Sequence, residues 1–406
     1  MRILIGPPRL LLVALDNWLS TARLPAALCR AGFEVGLLSE PGVLAAKSTF
    51  VSRHLPLSID DLWRGRLEQM WQALEAFAPD FVVATDPQAV RLVHFLLTRR
   101  CSARLSPAMR AVLLRSVGAS STPDNYGCRT RMLRLAADAG LACPANRSVD
   151  HLRQALAFGD LKGWPVFLKR DHTFGGRGVR LCTDAAALAA AYRDFTKADV
   201  PAWSPRGLLR RGRRLMRAAL GRPEPLALPV GASGTSIEAA VPGQPAFHVA
   251  VALEGRWLAG FSVEVEEFHP RPSGPSTRIR LHHDAAMDSA ARKLIGALGH
   301  GGFCGLDFIR RPDGGLAFLE FNERPVTACH LGNLIGTDLC VALFSALTGR
   351  PVDAPPWKEN ARVALFPQDW LRDPRAASRA GLYLDIPGDD PPLLAALGAS
   401  VGGVDA

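Results

Sequence analysis

The sequence predicts a mixed fold, in which an N-terminal α/β layer is followed by α+β segments built on antiparallel strands. Strand-like and helix-like patterns alternate over residues 1–120, which favours a mostly parallel sheet. Farther along, strand-like segments at 235–241, 245–253 and 257–268 follow one another without a helix between them, which is typical of antiparallel neighbours. At 406 residues, the chain is long enough for two to four domains.

Composition and apolar patterning indicate a globular protein. Hydrophobic residues make up 48% and charged residues 21%, which is ordinary for a folded domain. The apolar N-terminus is interrupted by Pro7, Pro8 and Arg9, so we interpret it as a buried strand rather than a secretory leader. No apolar run reaches the roughly 18 residues of a membrane span. The eight cysteines form no C-x-x-C pair, which favours reduced, buried thiols and a cytoplasmic location.

The N-terminal layer carries no clear nucleotide signature of its own. The first strand is predicted at 2–6 and the first helix at 17–32, where Gly32 suits a left-handed C-cap. No G-x-G-x-x-G follows the first strand, so no dinucleotide site is indicated. Asp86 ends a predicted strand, a position where open sheets bind ligands, but a helix N-cap before Pro87 is the simpler interpretation.

A glycine-rich segment, "KRDHTFGGRGV" at 169–179, gives the first sign of chemistry. Lys169 ends a predicted strand, and we expect it to face a ligand rather than the core. Gly175, Gly176 and Gly178 form a loop whose backbone N–H groups could approach an anion such as a polyphosphate. The spacing is not that of a P-loop. Taken alone, the segment is equally consistent with a plain hairpin turn.

A predicted hairpin at 305–325 gives the second sign. Alternation along its strands places Asp307, Glu320 and Asn322 on one face, with Phe308, Leu319 and Phe321 on the other.

Two carboxylates and an amide oxygen together suit Mg²⁺, which proteins hold through one or two carboxylates plus substrate phosphates. Two facing acids without a counter-ion would repel each other. The alternative is a solvated polar face neutralised by Arg310, Arg311 and Arg324. The glycine-rich segment upstream favours the metal site over that alternative.

The two motifs together resemble those of the ATP-grasp superfamily, from about residue 115 to about residue 345. One specific feature is the strand-end Lys169 followed by G-G-x-G-V at 175–179. The other is Asp307 followed by Glu320, Asn322 and then Arg-Pro at 324–325. The resemblance implies a Rossmann-like α/β layer followed by a two-subdomain ATP-grasp fold. The implied divisions are the N-terminal domain at 1–120, the first subdomain at 121–235, the second at 236–350 and a Pro-rich extension at 351–406.

The resemblance also implies roles for individual residues. Lys169 would contact the α and β phosphates, and the backbone of Gly175, Gly176 and Gly178 would cover the β and γ phosphates. Arg129 would lie near the nucleotide. Glu238 and the backbone of Ala239 to Val241 would contact adenine. The Mg²⁺ (or Mn²⁺) ligands would be Asp307, Glu320 and Asn322. Arg324 would face the transferred phosphoryl group or the acid substrate.

Several positions depart from the family pattern. Gln244 stands where many members bind ribose through an acid, and Gly305 stands where a family arginine precedes the first metal ligand. Arg280 would either supply that missing cation or be a surface strand charge. His330 would orient a substrate or act as a base, although a lone histidine beside Leu331 is more often structural.

The activity implied is an ADP-producing ligase that uses ATP and Mg²⁺ to activate a small carboxylate for attack by an amine. The alternative is a non-catalytic nucleotide-binding or RNA-binding protein that uses the arginine-rich segment 206–222, which holds seven of the chain's cationic residues and no acid. That segment has no aromatic residue for base stacking, so a solvated insertion helix or a lid is favoured over a nucleic-acid partner. The sequence carries no signal for an oligomeric state.

Overall fold

The structure is a computed structural model that describes residues 6–57, 63–118, 127–173, 176, 178–198, 234–270, 274–351, 353 and 355–398. Its strands form one parallel sheet of four strands, one antiparallel sheet of four and one mainly antiparallel sheet of seven. The expected mixture of parallel and antiparallel sheets is therefore confirmed.

The parallel sheet has the order β3-β2-β1-β4. Its central strand β1 is a buried apolar run, as expected for a parallel strand covered on both faces. Residues 1–5, which hold most of the strand predicted at 2–6, lie outside the described residues, and β1 is the first strand described. The elements are β1 (Arg9–Ala14), α1 (Leu19–Ala31), β2 (Glu34–Ser39), β3 (Arg53–Pro56), α2 (Trp63–Phe77), β4 (Phe81–Ala84), α3 (Pro87–Leu96), α4 (Arg99–Ser102) and α5 (Pro107–Val117).

Asp86 joins the start of α3 to the end of β1. Its Oδ1 accepts hydrogen bonds from the backbone N–H groups of Gln88 and Ala89, both at 2.9 Å, which is the N-cap expected from the sequence. Its Oδ2 accepts from the N–H groups of Leu15 at 2.6 Å and Asp16 at 3.1 Å. The buried carboxylate thus fixes the backbone of the loop that follows β1.

The second sheet, with the order β5-β8-β6-β7, is antiparallel throughout. Strands β6 and β7 form the hairpin that encloses the glycine-rich loop, as expected from the sequence. The arginine-rich segment 206–222 lies outside the described residues. The elements are α6 (Arg129–Asp138), β5 (Asn146–Ser148), α7 (Leu152–Lys162), β6 (Val166–Arg170), β7 (Val179–Cys182), α8 (Ala185–Ala198) and β8 (Thr235–Ala239).

The third sheet has the order β13-β12-β9-β10-β11-β14-β15 and is antiparallel except for the pair β14–β15. Its last two strands come from the Pro-rich C-terminal segment, which therefore extends this sheet. The elements are β9 (Gln244–Leu253), β10 (Arg256–Phe268), β11 (Ser276–His282), α9 (Ala285–Leu298), β12 (Gly302–Arg310), β13 (Leu316–Asn322), α10 (Leu339–Thr348), β14 (Asn360–Ala364), α11 (Gln368–Arg372), β15 (Tyr383–Leu384) and α12 (Pro391–Gly398).

The two faces of the seven-stranded sheet pack against different layers. One face, with Val249 and Phe261, shares a core with Leu10 of the parallel sheet. The opposite face, with Leu306 and Phe308, packs against α9 and α6. Because side chains alternate between these faces along each strand, the register decides which of them can reach a common site.

The hairpin β12–β13 departs from simple alternation at one position. Glu320 pairs with Asp307, but Phe308 pairs with Phe318, so the strand bulges at Leu319. Phe318 and Phe321 are buried, while Leu319 is only half-buried. The prediction that Leu319 belongs to the core face is wrong, because the extra residue of the bulge turns it away. The placement of Glu320 opposite Asp307 is retained.

Within the described ranges, none of the helices combines the length and the apolar character needed to cross a membrane.

Candidate functional site

The predicted acid–amide cluster is assembled on one face of β12 and β13. Asp307 lies directly opposite Glu320, and Asn322 lies opposite Gly305, one row along the same face. The Asn322 Nδ2 donates to Asp307 Oδ2 at 3.1 Å, and the Arg324 Nη2 donates to Asn322 Oδ1 at 3.2 Å. These contacts join one carboxylate, an amide and a guanidinium into one network, and the Glu320 carboxylate lies beside it on the paired strand.

The electrostatics of this cluster favour a bound cation. Burial, followed by the neighbouring charge of Glu320, raises the pKa of Asp307 to about 7, although Arg324, the Asn322 hydrogen bond and Arg129 oppose the shift. Two carboxylates and an amide oxygen form a donor set that suits Mg²⁺. Among the described residues, no group of three or more His, Cys, Asp or Glu side chains could hold a metal ion. Mg²⁺ usually keeps several waters and binds substrate phosphates in addition to carboxylates.

The cluster opens into a cleft with a volume of about 340 Å³. Gly176 of the glycine-rich loop and the metal-ligand candidates line the same space, so the two motifs singled out in the sequence meet there. Trp18, from the loop after β1, also reaches it. The lining residues are Trp18, Gly176, Phe247, Ser276, Asp307, Glu320, Asn322, Arg324, Val326 and Thr327.

Two glycines of the hairpin loop are required for different reasons. Gly176 has a φ of +73°, which glycine adopts without steric cost. A Cβ at Gly178 would lie 1.8 Å from Thr173 Oγ1, so a side chain there would displace the loop. Gly175 lies outside the described residues.

Lys169 and Glu238 form a buried ion pair in the second sheet. The Lys169 Nζ donates to both carboxylate oxygens of Glu238 at 2.8 Å, and the two residues are only 7% and 3% exposed. Neither residue lines the cleft described above. Lys169 and Glu238 lie on the face of the sheet opposite the core residues Leu168 and Ile237, as the sequence predicted, but the two side chains are buried against each other.

Residues 240–243 connect β8 of the second sheet to β9 of the third. The Ala239 N–H donates to Ala145 O at 2.9 Å, so this group already has a backbone partner. Val241 lies within the connection, beyond the end of β8.

Arg129 links the glycine-rich hairpin to the acid–amide cluster. It is the first residue of α6, and its backbone N–H donates to Asp171 Oδ1 at 3.0 Å. Its Nη2 donates to Thr173 O at 3.3 Å, and its Nη1 lies 3.3 Å from Glu320 Oε2. One side chain therefore contacts both motifs at once.

Arg280 lies on the opposite face of the sheet from Asp307. It pairs across the ladder with Glu264, and Glu264 pairs with Ala246. Ala246 in turn pairs with Phe308, so all four residues lie in one row on the face of Phe308. Its guanidinium forms an ion pair with Glu264. The suggestion that Arg280 supplies the missing cation is wrong, because strand alternation points it away from the cleft.

His330 is held in a buried ionic cluster outside the cleft lining. Its Nε2 lies 2.9 Å from Asp385 Oδ1, and the Arg23 Nη2 lies 2.7 Å from the same oxygen. The cluster joins α1, the segment after β13 and the C-terminal segment. These contacts favour the structural interpretation of His330 over a catalytic one.

Replacing Asp385 should destabilise the protein in a pH-dependent way. Burial alone would raise the pKa of Asp385, but the charges and hydrogen bonds of His330 and Arg23 lower it overall. A carboxyl group whose pKa is lowered by folding stabilises the protein above its unfolded pKa, and this stabilisation is lost as the pH falls through the folded pKa. We expect Asp385→Asn to cost about 3 kcal/mol at pH 7, with the difference from the parent shrinking below about pH 4.

Urea denaturation across this pH range measures the effect. Asp389→Asn is the matched control, because Asp389 pairs with Arg30 at an exposed position and should cost less than about 1 kcal/mol. A pH-independent cost for Asp385→Asn would contradict the assignment.

Five cleft residues were not predicted from the sequence, namely Trp18, Phe247, Ser276, Val326 and Thr327. Phe247 reaches the cleft because β9 pairs with β12 and places it beside Asp307. Val326 directly follows the Arg-Pro of the hairpin motif, and this position was the one local signal in the sequence that could have placed it at the site. A Cβ at Gly305 would lie 2.6 Å from Val326 Cγ1, so Val326 fills the space next to the position where the family arginine was expected.

No protein-family model and no curated protein matches this sequence. Solved structures do match its fold. The biotin carboxylase domain of 2-oxoglutarate carboxylase from Hydrogenobacter thermophilus, in complex with MgADP, ADP and bicarbonate, aligns over 88% of this chain and 74% of its own, with a TM-score of 0.59 and 14% identity. L-amino acid ligase from Bacillus licheniformis aligns over 86% and 76%, with a TM-score of 0.54 and 15% identity.

N5-carboxyaminoimidazole synthetase from Staphylococcus aureus, in complex with ADP, aligns over 87% of this chain and 80% of its own, with a TM-score of 0.55 and 12% identity. All of these neighbours are ATP-grasp enzymes. The chain therefore has an ATP-grasp fold, and the family resemblance expected from its motifs is confirmed at the level of the fold.

Proposed function

We propose that the protein is an ATP- and Mg²⁺-dependent ligase, which activates a small carboxylate as an acyl phosphate for attack by an amine and releases ADP. One observation carries the proposal. A single cleft combines the glycine-rich hairpin backbone at Gly176 with the side chains of Asp307, Glu320, Asn322 and Arg324. An anion-binding loop facing a hard-cation site suits a metal–nucleotide substrate.

The nucleotide would lie between the second and third sheets, as in a two-subdomain clasp following a Rossmann-like layer. The backbone around the loop glycines would cover the terminal phosphates, and Arg129 would lie beside them. Lys169 would contact the α and β phosphates. Glu238 and the backbone of Ala239 to Val241 would border adenine. The neighbouring enzymes crystallised with MgADP or ADP support this placement.

Asp307, Glu320 and Asn322 would hold Mg²⁺, whose charge would oppose the burial and the Glu320 charge that raise the pKa of Asp307. When bound, the metal neutralises negative charge on the phosphate oxygens. Mn²⁺ could occupy the same donor set, since it too prefers oxygen ligands. Arg129, which contacts Glu320 in the structure, is placed to hold a metal-ligand carboxylate in position.

The chemistry proposed has two steps. A carboxylate oxygen of the substrate attacks the γ-phosphorus of ATP, and the bond to the β-phosphate oxygen breaks to release ADP. The amine nitrogen then attacks the acyl carbon, phosphate leaves, and the nitrogen loses a proton. Phosphoryl transfer depends mostly on positioning and charge neutralisation. Arg324, which lines the cleft beside Asn322, would bind the substrate carboxylate and the charge that develops during transfer.

The rival function, nucleotide or RNA binding without catalysis, rests on the arginine-rich segment 206–222, which lies outside the described residues. No contact of the described residues favours it. RNA binding would weaken steeply with salt.

The test is ATP turnover, screened against small carboxylates and amines, with ADP and AMP separated as products. Bicarbonate and amino acids belong in the screen because bicarbonate is bound in one structural neighbour and another is an L-amino acid ligase. We expect ADP formation that requires both an acid and an amine. AMP formation would contradict the acyl phosphate. MgATP binding without turnover by any acid would favour the non-catalytic alternative.

A further inference from the structure

The cleft contains an apolar wall that the metal–nucleotide chemistry does not use. Trp18, Phe247 and Val326 line it alongside the polar network, and each is partly exposed to it. They come from three separate parts of the chain, namely the loop after β1, strand β9 and the segment after β13. Apolar side chains brought together at a concave site usually contact an apolar ligand surface.

Trp18 is held in place by the N-terminal layer. Its backbone N–H donates to Asp16 O at 3.1 Å, and the Leu15 and Asp16 N–H groups are both bound by the buried Asp86 carboxylate. The ring therefore projects from a loop that is fixed to the carboxyl ends of β1 and β4. A ring whose backbone is already anchored loses less conformational entropy when a ligand packs against it.

Phe247 and Val326 border the metal-ligand candidates directly. Phe247 lies opposite Asp307 across the β9–β12 ladder, on the same face. Val326 packs over Gly305, so an apolar side chain fills the region where an arginine was expected. The wall is thus apolar up to the row that carries Asp307.

A carboxylate anchor stands next to this wall. The centre of the Arg324 guanidinium lies 4.3 Å from the ring centroid of Trp18. Two of the five guanidinium N–H groups bond to Pro325 O and Asn322 Oδ1, both at 3.2 Å. A planar guanidinium can bind a carboxylate through paired N–H groups and stack on an aromatic face at the same time.

We infer that the acid substrate carries an apolar or aromatic group, which packs against Trp18, Phe247 and Val326 while its carboxylate faces Arg324. This inference rests on the proposed function, and it narrows the substrate class from small carboxylates in general to apolar carboxylic acids. Bicarbonate and acetate would leave most of the wall uncovered, so the wall would add nothing to their binding. Each additional apolar contact should instead increase affinity.

Binding tests the inference without requiring turnover. Calorimetry would compare acetate, butyrate, hexanoate and 3-phenylpropionate on the full chain with Mg²⁺ and a non-hydrolysable ATP analogue. We expect 3-phenylpropionate and hexanoate to bind at least about tenfold more tightly than acetate. Trp18→Ala should weaken the binding of 3-phenylpropionate and hexanoate by at least about tenfold and leave the affinity for acetate nearly unchanged. Trp18→Phe should restore part of the affinity for the two apolar acids.

Trp357→Ala is the matched control, because Trp357 is 67% exposed and lies outside the cleft lining. Equal affinity for all four acids, or equal effects of Trp18→Ala and Trp357→Ala, would overturn the inference. Trp18-dependent binding of apolar acids that fails to stimulate ADP release with any amine would uphold the inference and contradict the proposed ligase instead. The two failures are therefore distinguishable.

Discussion

Glu320→Gln is expected to reduce ATP turnover by at least about 100-fold, while the apoprotein keeps its stability. Loss of a residue that merely supports a metal ligand typically costs about 10–100-fold, so removing a ligand charge should cost no less. The amide keeps the size of the side chain but removes one of the two facing carboxylates that we propose to hold the cation. Turnover with saturating MgATP, acid and amine measures the loss.

The effect of Glu320→Gln on apo stability should be small because two contributions oppose each other. After burial, the charge of Glu320 is the next cause of the raised pKa of Asp307, and the mutation removes this repulsion, which favours the folded variant. It also removes the partly exposed pair with Arg129, which is worth less than about 1 kcal/mol.

Asp313→Asn, in the exposed turn of the same hairpin, is the control and should retain full turnover. Retained turnover in Glu320→Gln, or a large loss of apo stability, would make Glu320 a structural residue.

Lys169→Ala is expected to destabilise the fold by about 3–5 kcal/mol in addition to weakening MgATP binding. The mutation leaves the Glu238 carboxylate buried and without its ammonium partner, and a buried charge without compensation is costly. Lys169 is itself buried, so its replacement also removes packing around the pair. Urea denaturation of the apoprotein and calorimetric titration with MgATP give the two readouts.

The double variant Lys169→Met/Glu238→Gln separates stability from nucleotide binding. Replacing both charges removes the uncompensated group, so most of the stability should return. MgATP affinity should remain low, because the ammonium that we propose to contact the phosphates is still absent. Lys162→Ala, at the exposed end of α7, is the control for loss of a lysine. Normal MgATP affinity in the double variant would remove Lys169 from the nucleotide site.

The sequence predicted those parts of the molecule that depend on local pattern. Alternation placed Asp307, Glu320 and Asn322 on one face, and the structure keeps them there. Glycine spacing located the β6–β7 loop, and the cap sequence before Pro87 located the start of α3. These features depend on residues close together in the chain.

The errors came from long-range register. Arg280 was left open between a site cation and a surface strand charge, and only the full β9–β10–β11 ladder shows that it lies on the far face. The burial of Lys169 was missed because Glu238, 69 residues away, could not be paired with it from sequence. Trp18 could not be predicted to contact Arg324, since that contact depends on how the parallel sheet packs against the seven-stranded one.

Isotope transfer from the acid to phosphate tests the central claim most directly. The acid that supports turnover is labelled with ¹⁸O in both carboxylate oxygens and is incubated with ATP, Mg²⁺ and the amine. An acyl phosphate intermediate predicts one ¹⁸O atom in each inorganic phosphate released, together with unlabelled ADP. Label in AMP, or unlabelled phosphate alongside the amide product, would contradict the account.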